Sequence, residues 1–203
     1  MSFNYEAYNN SQGLHSATGR VGGAYGSSLQ DALAAGRPKS SLPTHYRAVP
    51  HPMPVLGDVT NRGAAKLHQP VTFDFTTGMR GVPLQDLLSR SQHGVGQILK
   101  GAGDAALACT GLKSIALLVT WPGYEHFNFA APIDIVLPTG HITRGQLGHA
   151  VAKCMAAFME KVGPNGKDQA WKFGNRIRYQ DMVLLSIWNI RQDTWQVEIA
   201  LVM

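Results

Sequence analysis

The sequence predicts an α/β or α+β fold, in which a small, mostly β sheet of about four strands carries one long amphipathic helix and one or two shorter helices. Three observations predict this class. Apolar residues recur at helical spacing over residues 144–161. They alternate with polar residues over residues 195–203, and an unbroken apolar run fills residues 114–121. A chain that mixes these periods is expected to pack helix and sheet in layers.

Each strand of the predicted sheet has its own signal. Residues 71–75 alternate as a half-buried strand does, and residues 133–137 form an apolar run between two prolines. Residues 114–121 predict a buried central strand, and residues 195–203 a closing strand. The apolar residues 179–190 fit either a helix or a strand.

The long helix has the clearest start and stop signals. Thr143 and Gln146 form the Thr-x-x-Gln capping box that opens a helix. Behind them, apolar residues share one helical face: Leu147, Ala150, Val151, Cys154, Met155, Phe158 and Val162. Gly163 and Pro164 end the pattern, so we expect a helix over residues 144–161. Pro83 opens a shorter predicted helix over residues 83–90.

Composition divides the chain near residue 66. Residues 1–66 are rich in Gly, Ser, Asn, Ala and Pro and show no sustained period, so they bury too little apolar surface to offset the entropy of ordering. We expect a disordered or weakly ordered N-terminal arm over residues 1–66 and a single α/β domain over residues 67–203. Within the arm, residues 28–36 could form a short helix and residues 51–55 an extended polyproline segment.

Several classes of protein are disfavoured by composition. The chain shows no signal-peptide pattern and no apolar run of membrane-spanning length, so we expect a cytoplasmic or nuclear protein without a membrane partner. Its two cysteines, Cys109 and Cys154, form neither a disulfide framework nor a metal-binding pattern. Eighteen Lys and Arg residues against thirteen Asp and Glu give only a mild net charge of +5.

Two segments approximate a phosphate-binding loop. The first contains Gly163, Gly166 and Lys167, but Lys161 stands where the first glycine belongs and Asp168 replaces the magnesium-binding hydroxyl. The second, residues 140–145, lies between a predicted strand and a predicted helix but lacks the lysine. Either loop would make the chain a nucleotide-binding protein with ATP or GTP as cofactor; the alternative is two ordinary turns.

Cations interleave with aromatic residues just beyond these loops. Lys167, Lys172, Arg176 and Arg178 alternate with aromatic residues in a pattern that can grip phosphates and stack bases. The alternative is a solvated loop whose aromatic residues anchor it to the core.

A catalytic site is not indicated. His126, His141, Asp181 and Cys154 match no hydrolase, nucleophile or metal motif, so we assign no catalytic residue and no metal ligand. Cys154 lies on the apolar helix face, as a packing residue does. By exclusion, the sequence favours a non-enzymatic regulatory or protein-interaction protein with no cofactor and a protein partner. Nucleotide binding and nucleic-acid binding remain the alternatives.

Three stretches together resemble a known group of sequences: WPGYEHF at residues 121–127, PTGHITRGQLGHAVAKCMAAFMEKV at residues 138–162, and IRYQDMVLLSIWNIRQDTWQVEIAL at residues 177–201. They are similar to a family of hypothetical proteins from mushroom-forming basidiomycete fungi. The resemblance implies a fungal source and an intracellular compartment; a role in fungal development or regulation is a hypothesis from that source alone. It does not imply an activity.

Overall fold

The structure, a computed structural model of the chain, describes residues 42–50, 68–174, 177–191 and 193–203. The short helix predicted at residues 28–36 and the polyproline segment predicted at residues 51–55 lie outside these ranges. The elements of the described residues are, in chain order, β1 (Tyr46–Ala48), β2 (Val71–Thr72), β3 (Val82–Pro83), α1 (Leu84–Ser89), α2 (Gln92–Ile98), β4 (Ser114–Val119), β5 (Phe129–Asp134), β6 (Val136–Leu137), β7 (Gly140–His141), α3 (Arg144–Val162), β8 (Met182–Arg191) and β9 (Thr194–Val202).

Seven of these strands form one mixed sheet around the β8–β9 hairpin. Its order is β2-β8-β9-β4-β5; β3 lies beside β2 on the outer side of β8, and β1 lies beside β4 on the outer side of β9. Only the β4–β9 pair is parallel. β9 therefore pairs with three strands, β1, β4 and β8, that lie far from one another in the sequence. Separately, β6 and β7 form a two-stranded hairpin.

One face of the sheet packs on α3. Val151, Met155 and Phe158 of the helix are buried in the same core as Leu117 of β4 and Val197 of β9. The capping box is formed as the sequence predicted, since the Thr143 hydroxyl accepts from the Gln146 N–H at 3.2 Å and the Thr143 N–H donates to the Gln146 side chain at 2.9 Å. The prediction of a helix over residues 144–161 is thus confirmed.

The opposite face of the sheet is also buried at β8 and β9. Val183, Leu185 and Ala200 form a small apolar cluster there, against which Tyr46 and Leu42 pack. Burial on both faces explains why β8 shows no alternation in its sequence, because every residue from Met182 to Ile190 is buried. Among the described residues, no helix has the length and apolar character needed to cross a membrane.

The predicted sheet of about four strands with one long helix is wrong in its architecture. The fold is mixed α/β, but the described residues form a seven-stranded mixed sheet and three helices. The sequence does not predict β1 and β3, because each is only two or three residues long, which is too short for a periodic signal. It leaves β8 open between helix and strand. β2 covers only the first two residues of the predicted strand 71–75.

Pro132 explains the misplaced strand at residues 133–137. The sequence pattern starts the predicted strand after this proline, yet β5 runs through it from Phe129 to Asp134. Ala116 lies opposite Pro132, but its N–H donates to the Asp193 carbonyl, on the side of β4 that faces β9. The two residues therefore form a non-hydrogen-bonded pair, and the nitrogen of Pro132 faces away from β4, where a missing N–H costs no ladder bond.

Candidate functional site

Four of the predicted site residues, Gly163, Gly166, Lys167 and Lys172, lie in one part of the molecule. We call it the aromatic corner and define it as residues 121–129, residues 158–174 and the side chain of Arg47. It combines the turn that follows β4, the end of α3 with the loop after it, and the strand β1. Its buried rings are Trp121, Tyr124, Phe158, Trp171 and Phe173.

Side-chain hydrogen bonds lock the turn against the loop. The Trp121 indole N–H donates to the Trp171 carbonyl at 2.9 Å. The Tyr124 hydroxyl donates to the Gly163 carbonyl at 3.0 Å and accepts from the Phe173 N–H at 3.2 Å. The Phe173 ring lies 4.9 Å from that of Trp121 and 4.8 Å from that of Tyr124, between ring centroids. The corner is therefore a rigid, closely packed support.

Two glycines allow this close approach. A Cβ atom on Gly166 would lie 2.3 Å from the Tyr124 ring, closer than any packed carbon can be. Gly123 has a φ of +81°, and a Cβ there would lie 2.6 Å from the backbone nitrogen of Asp168. Both positions need glycine because of ring and backbone packing, without any bound phosphate.

Two of the three N–H groups in the phosphate loop predicted at Gly163, Gly166 and Lys167 already have partners within the protein. The Gly163 N–H donates to the Met159 carbonyl at 3.0 Å, and the Lys167 N–H donates to the Gly123 carbonyl at 2.9 Å. The loop also follows the C-terminal end of α3, where the helix dipole is negative and repels an anion. This geometry favours a structural turn.

The second predicted phosphate loop, at residues 140–145, is closed by protein groups. The backbone N–H of Arg144 donates to the Asp104 carbonyl at 2.9 Å, and that of Gly145 donates to the Ala102 carbonyl at 2.8 Å. The Gln146 N–H bonds the Thr143 hydroxyl. Because these N–H groups at the start of α3 already have oxygen partners, the helix N-terminus offers them to no anion.

The predicted nucleic-acid residues occupy different environments. Lys167 is exposed, Lys172 is half-buried, and Arg176 lies outside the described residues. Arg178 forms a two-pronged ion pair with Asp181, with both N···O distances at 3.0 Å. The interleaved rings of Trp171 and Phe173 are only 6% and 4% exposed, so in this arrangement they cannot stack on bases.

The titratable residues weighed for catalysis each have a separate local environment. His126 packs on Phe127 with 4.3 Å between ring centroids, and His141 is exposed on β7. The Arg178 guanidinium, through its hydrogen bonds, lowers the pKa of the Asp181 carboxyl. Burial raises the pKa of the Cys154 thiol, which opposes formation of a reactive thiolate.

Burial also explains the largest pKa shift, at Tyr179. Its pKa lies well above the usual value because the ring is half-buried, and its hydroxyl donates to the Ala152 carbonyl of α3 at 2.8 Å. The bond connects α3 to the turn that precedes β8.

Across the described ranges, no group of three or more His, Cys, Asp or Glu residues is placed to hold a metal ion.

Arg47 completes the aromatic corner, and its place there is not indicated by the sequence. Its guanidinium carbon lies 4.2 Å from the centroid of the buried Trp171 ring, while the Lys161 ammonium lies 5.6 Å from that of Phe129. Arg47 belongs to the segment assigned to the N-terminal arm, and nothing in its neighbouring sequence indicates a stacking partner more than a hundred residues away. Only the pairing of β1 with β9 brings it there.

Searches of protein-family models, curated proteins and solved structures found no match to this chain.

Proposed function

We propose that this chain is a protein-interaction module that binds an acidic segment of a partner protein at the aromatic corner. One observation carries the proposal: the corner's cations Arg47, Lys161, Lys167 and Lys172 form no ion pair with any described carboxylate. Among the described residues, the ion-paired cations are instead Arg80, Arg90, Arg144 and Arg178. Cations without an internal counter-ion are those that a partner's carboxylates can neutralise.

Two of these cations are held in place before any partner arrives. Arg47 lies over Trp171 and Lys161 over Phe129, and each such contact stabilises one geometry by about 0.5–1 kcal/mol at an exposed site. Immobilising a long side chain on binding costs about 0.5–1.5 kcal/mol. The stacked side chains have already lost part of that freedom, which favours binding.

Three carboxylates also lie in the corner, and two of them are engaged by the backbone. Glu125 accepts from the Gly123 N–H at 2.8 Å, and Asp168 accepts from the Ala170 N–H at 2.9 Å. Glu160 is exposed beside Lys161 on α3. The bonds hold Glu125 and Asp168 within their own turns, so in the corner four cations and one carboxylate, Glu160, can reach outward to a partner.

An acidic peptide fits this surface better than a nucleic acid does. The corner's largest rings are buried, and Arg47 lies over one of them, Trp171, so these rings offer bases no stacking surface. The proposal also includes a cytoplasmic or nuclear location, expected from the sequence, and a regulatory role in fungal development, suggested by the source that the resemblance implies.

The test uses a fluorescein-labelled hexaglutamate peptide and measures its binding by fluorescence anisotropy at low salt. We expect the double variant R47A/K172A to weaken binding by about tenfold, since two partly desolvated charge contacts are lost. The matched control K100A/K153A removes the same charge at two exposed lysines outside the corner. It should change the affinity by about twofold or less.

Two results would contradict the proposal. Equal weakening in both double variants would mean that net charge alone attracts the peptide. Tighter binding of a six-nucleotide oligothymidylate than of hexaglutamate, lost in R47A/K172A, would assign the corner to nucleic acid instead.

A further inference from the structure

The edge of β9 is completed by a strand from a distant part of the chain. β4 pairs with the first half of β9, at residues 194–196, and β1 pairs with the second half, at residues 200–202. The Val49 N–H donates to the Ile199 carbonyl at 3.0 Å, and the Met203 N–H donates to the His45 carbonyl at 2.9 Å. A short segment of 42–50 thus covers the backbone groups of an apolar strand.

Successive side chains of this segment point to opposite faces of the sheet, and they contact three different parts of the protein. Val49 is 3% exposed and belongs to the main core. Arg47, on the same side, lies over Trp171, whereas Tyr46 packs on the opposite face against the cluster of Val183, Leu185 and Ala200. Sheets recognise extended peptides in this way: the peptide backbone hydrogen-bonds to the edge strand, and every second side chain enters a site on the protein.

We propose that the edge of β9 at Ile199, Leu201 and Met203 is a strand-addition site for an extended partner segment, and that β1 occupies it in the free protein. The matching partner segment carries an aromatic residue, a cation, a small residue and a β-branched residue in succession, as residues 46–49 do. β1 then regulates binding by competing for the edge. This inference does not rest on acidic docking at the aromatic corner, although release of β1 would also withdraw Arg47 from that corner.

The register of β1 supplies matched variants for a test. Because residues 45 and 49 bond β9, the alternation directs the N–H of Arg47 toward Leu201 and that of Ala48 away from β9. Arg47→Pro removes a ladder bond and should release β1. Ala48→Pro adds a proline without removing a ladder bond, and Arg47→Ala removes the side chain while keeping the N–H.

The probe is a fluorescent peptide of residues 42–50, LPTHYRAVP, titrated into each folded variant. A tethered segment competes at an effective concentration in the millimolar range, so the wild-type chain should bind the peptide weakly. We expect R47P to bind it at least about tenfold more tightly than the wild type, A48P and R47A. Equal binding by all four folded chains would overturn the proposal.

A measurement on the wild-type chain decides the question even if R47P does not fold. Amide hydrogen exchange should show the N–H groups of Val49 and Met203 exchanging about a hundredfold faster than that of Ala116, which bonds Asp193 between β4 and β9. Exchange of all three only through global unfolding would show that β1 never leaves the edge. A wild-type dimer that R47A retains and R47P abolishes would assign the edge to a second copy of the chain and overturn the partner assignment.

Discussion

The Cβ of an alanine at position 166 would meet three atoms of Tyr124, at 2.3, 2.5 and 2.8 Å. Gly166→Ala should therefore lower the free energy of unfolding by about 1–3 kcal/mol, as overpacking does. Urea denaturation checks this, and Gly96→Ala is the matched control. Gly96 lies in α2 with open space around its Cβ position, so alanine there should stabilise by about 0.5–1 kcal/mol.

The same substitution separates packing from phosphate binding at this loop. If Gly166 serves only to pack on Tyr124, saturating ATP or GTP should leave the melting temperature of the wild-type chain unchanged. A rise in melting temperature with nucleotide that Gly166→Ala abolishes would instead support the predicted nucleotide site.

Tyr179 makes the free energy of unfolding depend on pH in the alkaline range. Burial raises the pKa of its hydroxyl in the folded state above the value of about 10 in the unfolded state. Below about pH 10 both states keep the proton, so this group's contribution is complete; as pH rises further, the unfolded state loses its proton first and stability falls. We expect the free energy of unfolding to decrease steadily above about pH 10.

Tyr179→Phe tests this assignment by urea denaturation across pH. At neutral pH it should cost about 1 kcal/mol, because the bond to the Ala152 carbonyl is lost. Its stability should then fall less steeply above about pH 10 than that of the wild type. Burial also raises the pKa of Tyr46, so part of the slope should remain. An unchanged slope would show that Tyr179 ionises equally in both states.

At the scale of elements, the sequence predicted those whose signals are local. The capping box at Thr143 and the apolar stripe behind it define α3 without reference to the rest of the chain, and the structure shows both. Likewise, β9 keeps the alternation of Trp195, Val197 and Ile199 because these residues face the core. Such elements could be predicted because their own residues specify them.

Elements whose form depends on distant neighbours could not be predicted. β8 is buried on both faces only because other parts of the chain cover each face, so its sequence reads equally as helix or strand. β1 has three residues and becomes a strand only because β9 offers it a partner. The same holds for the candidate site, where the lysines were visible in sequence but the stacking of Arg47 on Trp171 was not.

At the scale of the whole molecule, the C-terminal strand β9 joins the other parts of the sheet. β9 pairs with β1, β4 and β8, so the sheet joins segments near residues 46, 114 and 182 only once β9 is in place. The sequence predicted a domain beginning at residue 67, and that boundary stays a prediction. The pairing of β1 nevertheless adds residues N-terminal to it to the same sheet.

Two truncations that differ by nine residues isolate this contribution. A chain lacking residues 1–50 should be less stable than one lacking residues 1–41 by about 1–3 kcal/mol, because it loses the burial of Val49 and exposes the apolar edge of β9. It should also aggregate at lower concentration, since an uncovered apolar edge pairs with other chains. Urea denaturation and light scattering measure the two effects. Equal stability of the two truncations would place the start of the folded unit beyond residue 50, as the sequence alone suggested.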